Sequence, residues 1–204
     1  MMALVLVDIQ NDFLPGGALA VPRGDEVVEV ANWLVDQFEL VVATRDWHPA
    51  NHGSFASQHE GSQIGDVIDL NGLEQILWPD HCVQHTPGAA FAAGLRIDRA
   101  ERVFPKGTDP EIDSYSGFFD NAHRKSTGLG DYLRQRDVDA VCIVGLATDY
   151  CVKFTALDSL REGFKTTVVL DGIRGVEVEP GDVDAALQEL RDAGVRLAHS
   201  ADCA

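Results

Sequence analysis

Ala140-Val141-Cys142-Ile143-Val144-Gly145-Leu146-Ala147-Thr148-Asp149-Tyr150-Cys151-Val152 is the stretch on which the fold turns. Its first five residues are apolar without alternation and rich in β-branched side chains, as in a strand covered on both faces. Gly145 breaks the run. A helical pattern opens near Thr148–Asp149, runs through Val152, Ala156, Leu157 and Leu160 to Arg161, and stops at Gly163. A buried strand, a glycine turn and a helix in that order make one unit of an α/β fold.

The same rhythm extends outward in both directions. Apolar runs at Ala3–Val7, Leu40–Ala43, Arg102–Phe104, Thr167–Leu170 and Val195–Ala198 join Ala140–Val144 as expected strands. Helical stripes follow Gly24 (Val27, Val30, Ala31, Leu34, Val35, Phe38), surround Leu129, Tyr132 and Leu133, and carry Val183, Ala186, Leu187 and Leu190 before Gly194. The alternation predicts a mostly parallel sheet, and 204 residues suit one domain spanning 1–204. Residues 46–90 break the rhythm. They hold five of the seven histidines and two of the three tryptophans with little periodicity, as a long functional connection would.

The formal net charge of −17 argues against a nucleic-acid partner, which needs clustered Lys and Arg, and against an anionic membrane surface. No window has the apolar length of a membrane helix. The N-terminus lacks a basic segment and meets Asp8 after one short apolar run, so it reads as a strand and the expected compartment is the cytoplasm. The four cysteines form no CxxC pair and are expected to be free thiols. Cys142 reads as core and Cys203 as incidental to the tail.

In open α/β sheets ligands bind beyond the carboxyl ends of the strands. The polar residues that follow the apolar runs are therefore the candidates. These are Asp8 after the first, Asp46 and His48 after the second, Lys106 after Phe104-Pro105, and Cys151 after the Gly145 turn. A thiol in the first turn of a helix meets unpaired N–H groups, which favour the nucleophilic thiolate. The bland alternative is a small apolar residue facing the sheet. Asp8 next to it can serve as general base, or as a plain structural ion pair. Lys106 can hold that carboxylate ionised; read alone it is an exposed loop lysine. The Gly145–Thr148 turn offers backbone N–H groups for an oxyanion. Asp46 and His48, at i and i+2 of an extended chain, share one side, and His81 could close a metal site suited to zinc, iron or manganese. His52, His59 and His85 are further candidates that spacing does not rank.

Together these residues resemble the nicotinamidase/pyrazinamidase family of isochorismatase-like cysteine hydrolases. The resemblance runs through Val7-Asp8-Ile9-Gln10-Asn11-Asp12-Phe13, Asp46-Trp47-His48-Pro49, Trp78-Pro79-Asp80-His81-Cys82, Lys106-Gly107, Tyr115-Ser116-Gly117-Phe118 and Gly145 to Val152. It implies a three-layer αβα sandwich on a six-stranded sheet. It implies Asp8, Lys106 and Cys151 as catalytic triad, and Asp46, His48 and His81 as ligands of one divalent metal, zinc or else iron or manganese, that holds a pyridine nitrogen. Phe13, Trp78 and Tyr115 would line the ring pocket, and the N–H groups of Ala147 and Cys151 would form the oxyanion hole beside a cis peptide at Leu146–Ala147. The expected partner is a small amide; the oligomeric state is open. Rival readings are another amide or carbamoyl hydrolase of the same fold, a non-catalytic binding protein, and a hydrolase whose metal activates water.

Overall fold

The structure, a computed structural model, describes residues 1–203. Six strands, β1 (Met2–Val7), β2 (Leu40–Asp46), β5 (Arg102–Lys106), β6 (Ala140–Leu146), β7 (Lys165–Arg174) and β8 (Arg196–Ala198), form one sheet in the order β5-β2-β1-β6-β7-β8. Every pairing in it is parallel. The six apolar runs therefore all become strands, and β7 extends beyond Thr167–Leu170 at both ends. Pro105 is accommodated because β5 lies at the edge of the sheet, where one side of the strand has no ladder partner.

Side chains alternate across the strands into two apolar layers. On one face Leu4, Leu6, Val41, Ala43 and Val144 pack with Val27, Ala31 and Leu34 of α1 (Glu26–Leu34). On the other Ala3, Val5, Val42 and Ile143 meet α2 (Leu129–Gln135), α3 (Lys153–Arg161) and α4 (Asp182–Ala193) through Leu129, Leu133, Ala156 and Leu190. Burial on both faces explains why the runs of β1, β2 and β6 lack polar alternation. The result is the expected three-layer sandwich.

Two local features differ from the sequence reading. The α-helix opens at Lys153, one turn later than Thr148–Asp149. Thr148–Val152 form a wider π turn, and Cys151 lies in that turn. The long connection holds an antiparallel hairpin, β3 (Val67–Leu70) and β4 (Leu73–Ile76). Its turn is Asn71-Gly72, both at positive φ, the pair a two-residue hairpin turn prefers. That dipeptide was the available signal; strands of four residues are too short to show a period. No helix among the described residues is long and apolar enough to cross a membrane.

Candidate active site

The site forms where the winding of the sheet reverses, between β1 and β6. Asp8 follows β1, Asp46 ends β2, Lys106 ends β5, and the register sets Asp46 beside Lys106 and Val7 beside Gly145. Gly145 has φ +131, and a Cβ there would stand 2.0 Å from the Val7 carbonyl oxygen. Only glycine lets the two strand ends approach this closely before the chain turns to Cys151.

Lys106 is buried, not in an exposed loop. Its Nζ lies 2.9 Å from Asp8 Oδ2, 2.9 Å from Asp46 Oδ1, 2.9 Å from the Ser114 carbonyl and 3.4 Å from Cys151 Sγ. Thr44 donates to Asp8 Oδ1 at 2.6 Å. The residues expected as a triad are thus gathered around one ammonium. Burial works against the charge on Lys106, but Asp46 and Asp8 outweigh it and hold the ammonium firmly protonated. Burial raises the Asp8 carboxyl, with Lys106 and Thr44 opposing. Asp46 is held well below the usual carboxylate range: burial disfavours its charge, and His48 and Lys106 overcome that.

The thiol differs from expectation. Burial pushes Cys151 well above the usual thiol range, with Asp8 and Asp46 adding to the rise and Lys106 opposing it. The expected lowering by a helix N-terminus does not prevail, because removing a thiolate from water costs more than nearby N–H dipoles return. Burial thus favours the protonated thiol, and a base beside the sulfur has to take that proton for it to attack.

Asp46, His48 and His81 are buried and present donor atoms within 4.8 Å of one another. His48 Nδ1 meets the Gly107 carbonyl at 2.9 Å and His81 Nδ1 meets the Pro79 carbonyl at 2.8 Å. Carbonyls only accept, so each Nδ1 carries a proton and each Nε2 is the ring nitrogen that faces inward. Those two atoms face Asp46 Oδ2 at 3.0 and 3.3 Å. One carboxylate oxygen and two inward-facing imidazole nitrogens in one buried space can hold a cation between them, and that donor set suits a divalent ion. Gly107, at φ +62, keeps the strand end clear of the His48 ring, which a Cβ would meet at 2.4 Å. His52 stands behind His48, ring centroids 4.3 Å apart, with Nδ1 on Ser54 Oγ at 2.7 Å and Nε2 buried without a partner. Burial pushes its pKa down to about 4. His59 and His85 lie apart from this group, on the Gly53 carbonyl and against the Trp47 ring.

The long connection reaches the sheet through side chains that the sequence reading did not single out. Gln10 donates to the carbonyls of Asp46 (2.8 Å) and Ala89 (3.0 Å) and accepts from the Asp46 N–H (2.7 Å). Asp12 accepts from the Cys82 N–H at 2.7 Å. Both belong to the motif after β1, and their work is to hold the metal-site backbone. A pocket lies over the sulfur, and Phe13, Trp78, Tyr115, Ala147 and Cys151 are all in its wall. Asp46, His48 and His81 border the pocket as well. Leu19, Asp113, Tyr150 and Val176 complete that wall. No local pattern marks them; they meet only in the folded chain. The Leu146–Ala147 peptide is cis.

A buried thiol beside a carboxylate–ammonium pair, under an apolar pocket with a metal-type donor set, can attack a small carbonyl compound. Comparison with known proteins bears on which one. The sequence profile described as Isochorismatase domain matches residues 2–202. A nicotinamidase of Escherichia coli K12 is 52% identical, over 98% of this chain and 95% of its own length. The structure of a nicotinamidase/pyrazinamidase from Acinetobacter baumannii is 45% identical and superposes with a TM-score of 0.96, covering 100% of this chain and 98% of that one. A Pyrococcus horikoshii pyrazinamidase in complex with zinc is 39% identical with a TM-score of 0.80, covering 97% and 98%.

Proposed function

The chain belongs to the isochorismatase-domain family and, within it, to the nicotinamidase/pyrazinamidase group, and from that premise we infer that it hydrolyses nicotinamide, and pyrazinamide with it, to the acid and ammonia through a Cys151 thioester. One observation carries the mechanism. A single buried ammonium, Lys106, touches both the Asp8 carboxylate and the Cys151 sulfur.

Asp8 takes the Cys151 proton as the sulfur attacks the amide carbon. Its raised pKa makes it a better base than an exposed carboxylate. The carbonyl electrons move to oxygen, where the N–H groups of Ala147 and Cys151 are the proposed donors. As the oxyanion collapses, the C–N bond breaks, Asp8 returns the proton to nitrogen, and ammonia leaves with the acyl group on Sγ. Water then gives a proton to Asp8 and attacks the thioester carbon; the C–S bond breaks, Asp8 returns that proton to Sγ, and the acid departs. Lys106 stays charged throughout, keeping Asp8 ionised between steps and steadying negative charge on sulfur. Phe13, Trp78 and Tyr115 hold the ring. The residues that fit a divalent ion are Asp46, His48 and His81, and zinc is the proposed ion, as in the Pyrococcus relative. When bound, it supplies a Lewis-acidic position for the ring nitrogen.

The test is ammonia release from nicotinamide, pyrazinamide and benzamide by the wild type and by Cys151→Ala. The wild type should turn over the first two and strongly disfavour benzamide, which has no ring nitrogen. Cys151→Ala should fold, keep its metal and release no ammonia. Substantial turnover by that variant would move the chemistry from the thiol to the metal site.

A further inference from the structure

Two cavities meet at the aromatic wall of the pocket. The inner one, over the Cys151 sulfur, is about 30 Å³. The outer one, between the β3–β4 hairpin and α4, is about 390 Å³. Tyr115 and Tyr150 belong to the walls of both. They are held differently. The Tyr115 hydroxyl accepts hydrogen bonds from Gln75 Nε2 at 3.1 Å and Trp78 Nε1 at 3.2 Å. The Tyr150 ring rests edge-on against Trp78 (centroids 4.8 Å, 87°) and against Tyr115 (5.4 Å, 66°). No hydrogen bond fixes its hydroxyl among the described residues, while its own N–H is fixed to the Ala147 carbonyl at 3.1 Å. Tyr115 is thus a braced wall, and Tyr150 a ring set between two spaces on a rigid backbone beside the sulfur.

We propose that Tyr150 is the partition that limits the size of the carboxamide ring, closing the sulfur-side pocket from the outer cavity that would otherwise receive a ring extension. The proposal rests on the amidase reading above. The outer cavity says which extension fits. Val67, Ile76 and Phe154 give it apolar wall. Of its charges, Lys153 is paired with Glu189 at 3.2 Å, and Asp149 accepts from the N–H groups of Val176 and Glu177. Asp182 likewise accepts from the Glu179 N–H at 2.9 Å; with Glu74 these carboxylates outnumber the one ammonium, so the space suits neutral or cationic extensions and opposes anionic ones. The substrate class opened by removing the ring is aryl-extended pyridine carboxamides without a carboxylate on the extension.

The experiment compares kcat/KM for nicotinamide, 5-phenylnicotinamide, quinoline-3-carboxamide and a 5-(carboxyphenyl) analogue in metal-loaded wild type, Tyr150→Ala and Tyr150→Phe. In Tyr150→Ala, at least one neutral larger amide should gain about tenfold or more relative to nicotinamide, the scale on which pockets discriminate by steric fit. The carboxylate analogue should gain less, and Tyr150→Phe, which keeps the ring, should keep the wild-type ratio. If neither larger neutral amide gains, or if Tyr150→Phe gains as much as Tyr150→Ala, the partition is wrong. Tyr150→Leu carries the same reading should the alanine variant not fold. Equilibrium binding of the same amides gives the ratio without turnover. Failure of the wild type to release ammonia from nicotinamide would therefore count against the amidase reading alone.

Discussion

Lys106 shows at the scale of a single residue how burial changes a side chain's work. In solution it would be one more solvated cation; here, among the described residues, it is the one counter-charge within 3 Å of both Asp8 and Asp46. Removing it leaves two carboxylates in the interior, and breaking a buried pair from one side costs about 3–5 kcal/mol. Lys106→Ala should therefore melt well below wild type and lose turnover on the order of 100-fold or more, the scale of a general base put out of action. Near-normal rates at neutral pH would reduce Lys106 to a structural role. The pH profile tests Asp8 itself. Burial raises its pKa, so as pH falls through that raised value Asp8 takes up a proton and can no longer accept one from Cys151. The acid limb of kcat/KM should lie above the ordinary aspartate value of about 3.9. A limb at or below that value would show that burial does not set the base.

Among the elements, the turn after β1 links the sheet to the long connection. Gln10 satisfies the N–H and the carbonyl of Asp46 together with the carbonyl of Ala89, all away from water. Each buried group left unpaired costs about 1–3 kcal/mol. Gln10→Ala should lower the melting temperature and also weaken metal retention, because the Asp46 backbone then loses both of its side-chain clamps. Melting curves and titration with a chelator check both effects. Unchanged metal affinity would confine Gln10 to support of the fold. The hairpin has a comparable role: Gln75 of β4 reaches both Asp113 and Tyr115, so a loop segment braces the pocket wall.

The whole molecule divides its labour by position on the sheet. Two apolar layers clamp the strands from both faces, and the polar groups that such a core excludes collect at the carboxyl ends, where the strand order reverses. The metal-type donor set and the thiol stand side by side there but need not share a task. A ligand bound only by the folded state stabilises it by mass action. Chelation should thus lower the melting temperature and erase the preference for nicotinamide over benzamide, while Cys151 still reacts with a small alkylating agent. A preference that persists without metal would assign substrate choice to the aromatic walls. Thiol reactivity that disappears with the metal would make the ion part of the nucleophile's activation.

Much of this was legible in the chain itself. Apolar runs marked all six strands; those of β1, β2 and β6 are unbroken, because a strand buried on both faces admits no polar alternation, while the edge strands β5 and β8 admit the exposed Arg102 and Arg196. Asp8, Asp46, Lys106 and, across the Gly145 turn, Cys151 stood out because each comes after such a run, and strand ends are where a parallel sheet exposes its ligands. The spacing of Asp46 and His48 is likewise a local fact. Only the tertiary structure decided that Lys106 is buried, that burial raises the Cys151 thiol instead of lowering it, and that Asp113, Tyr150 and Val176 share a pocket with Phe13. It alone decided that Gln10 and Asp12 are clamps. The reason is physical: period and backbone preference are encoded among neighbours in sequence. Desolvation, Coulomb interactions and hydrogen-bond partners are sums over neighbours in space, and here those neighbours lie tens of residues apart.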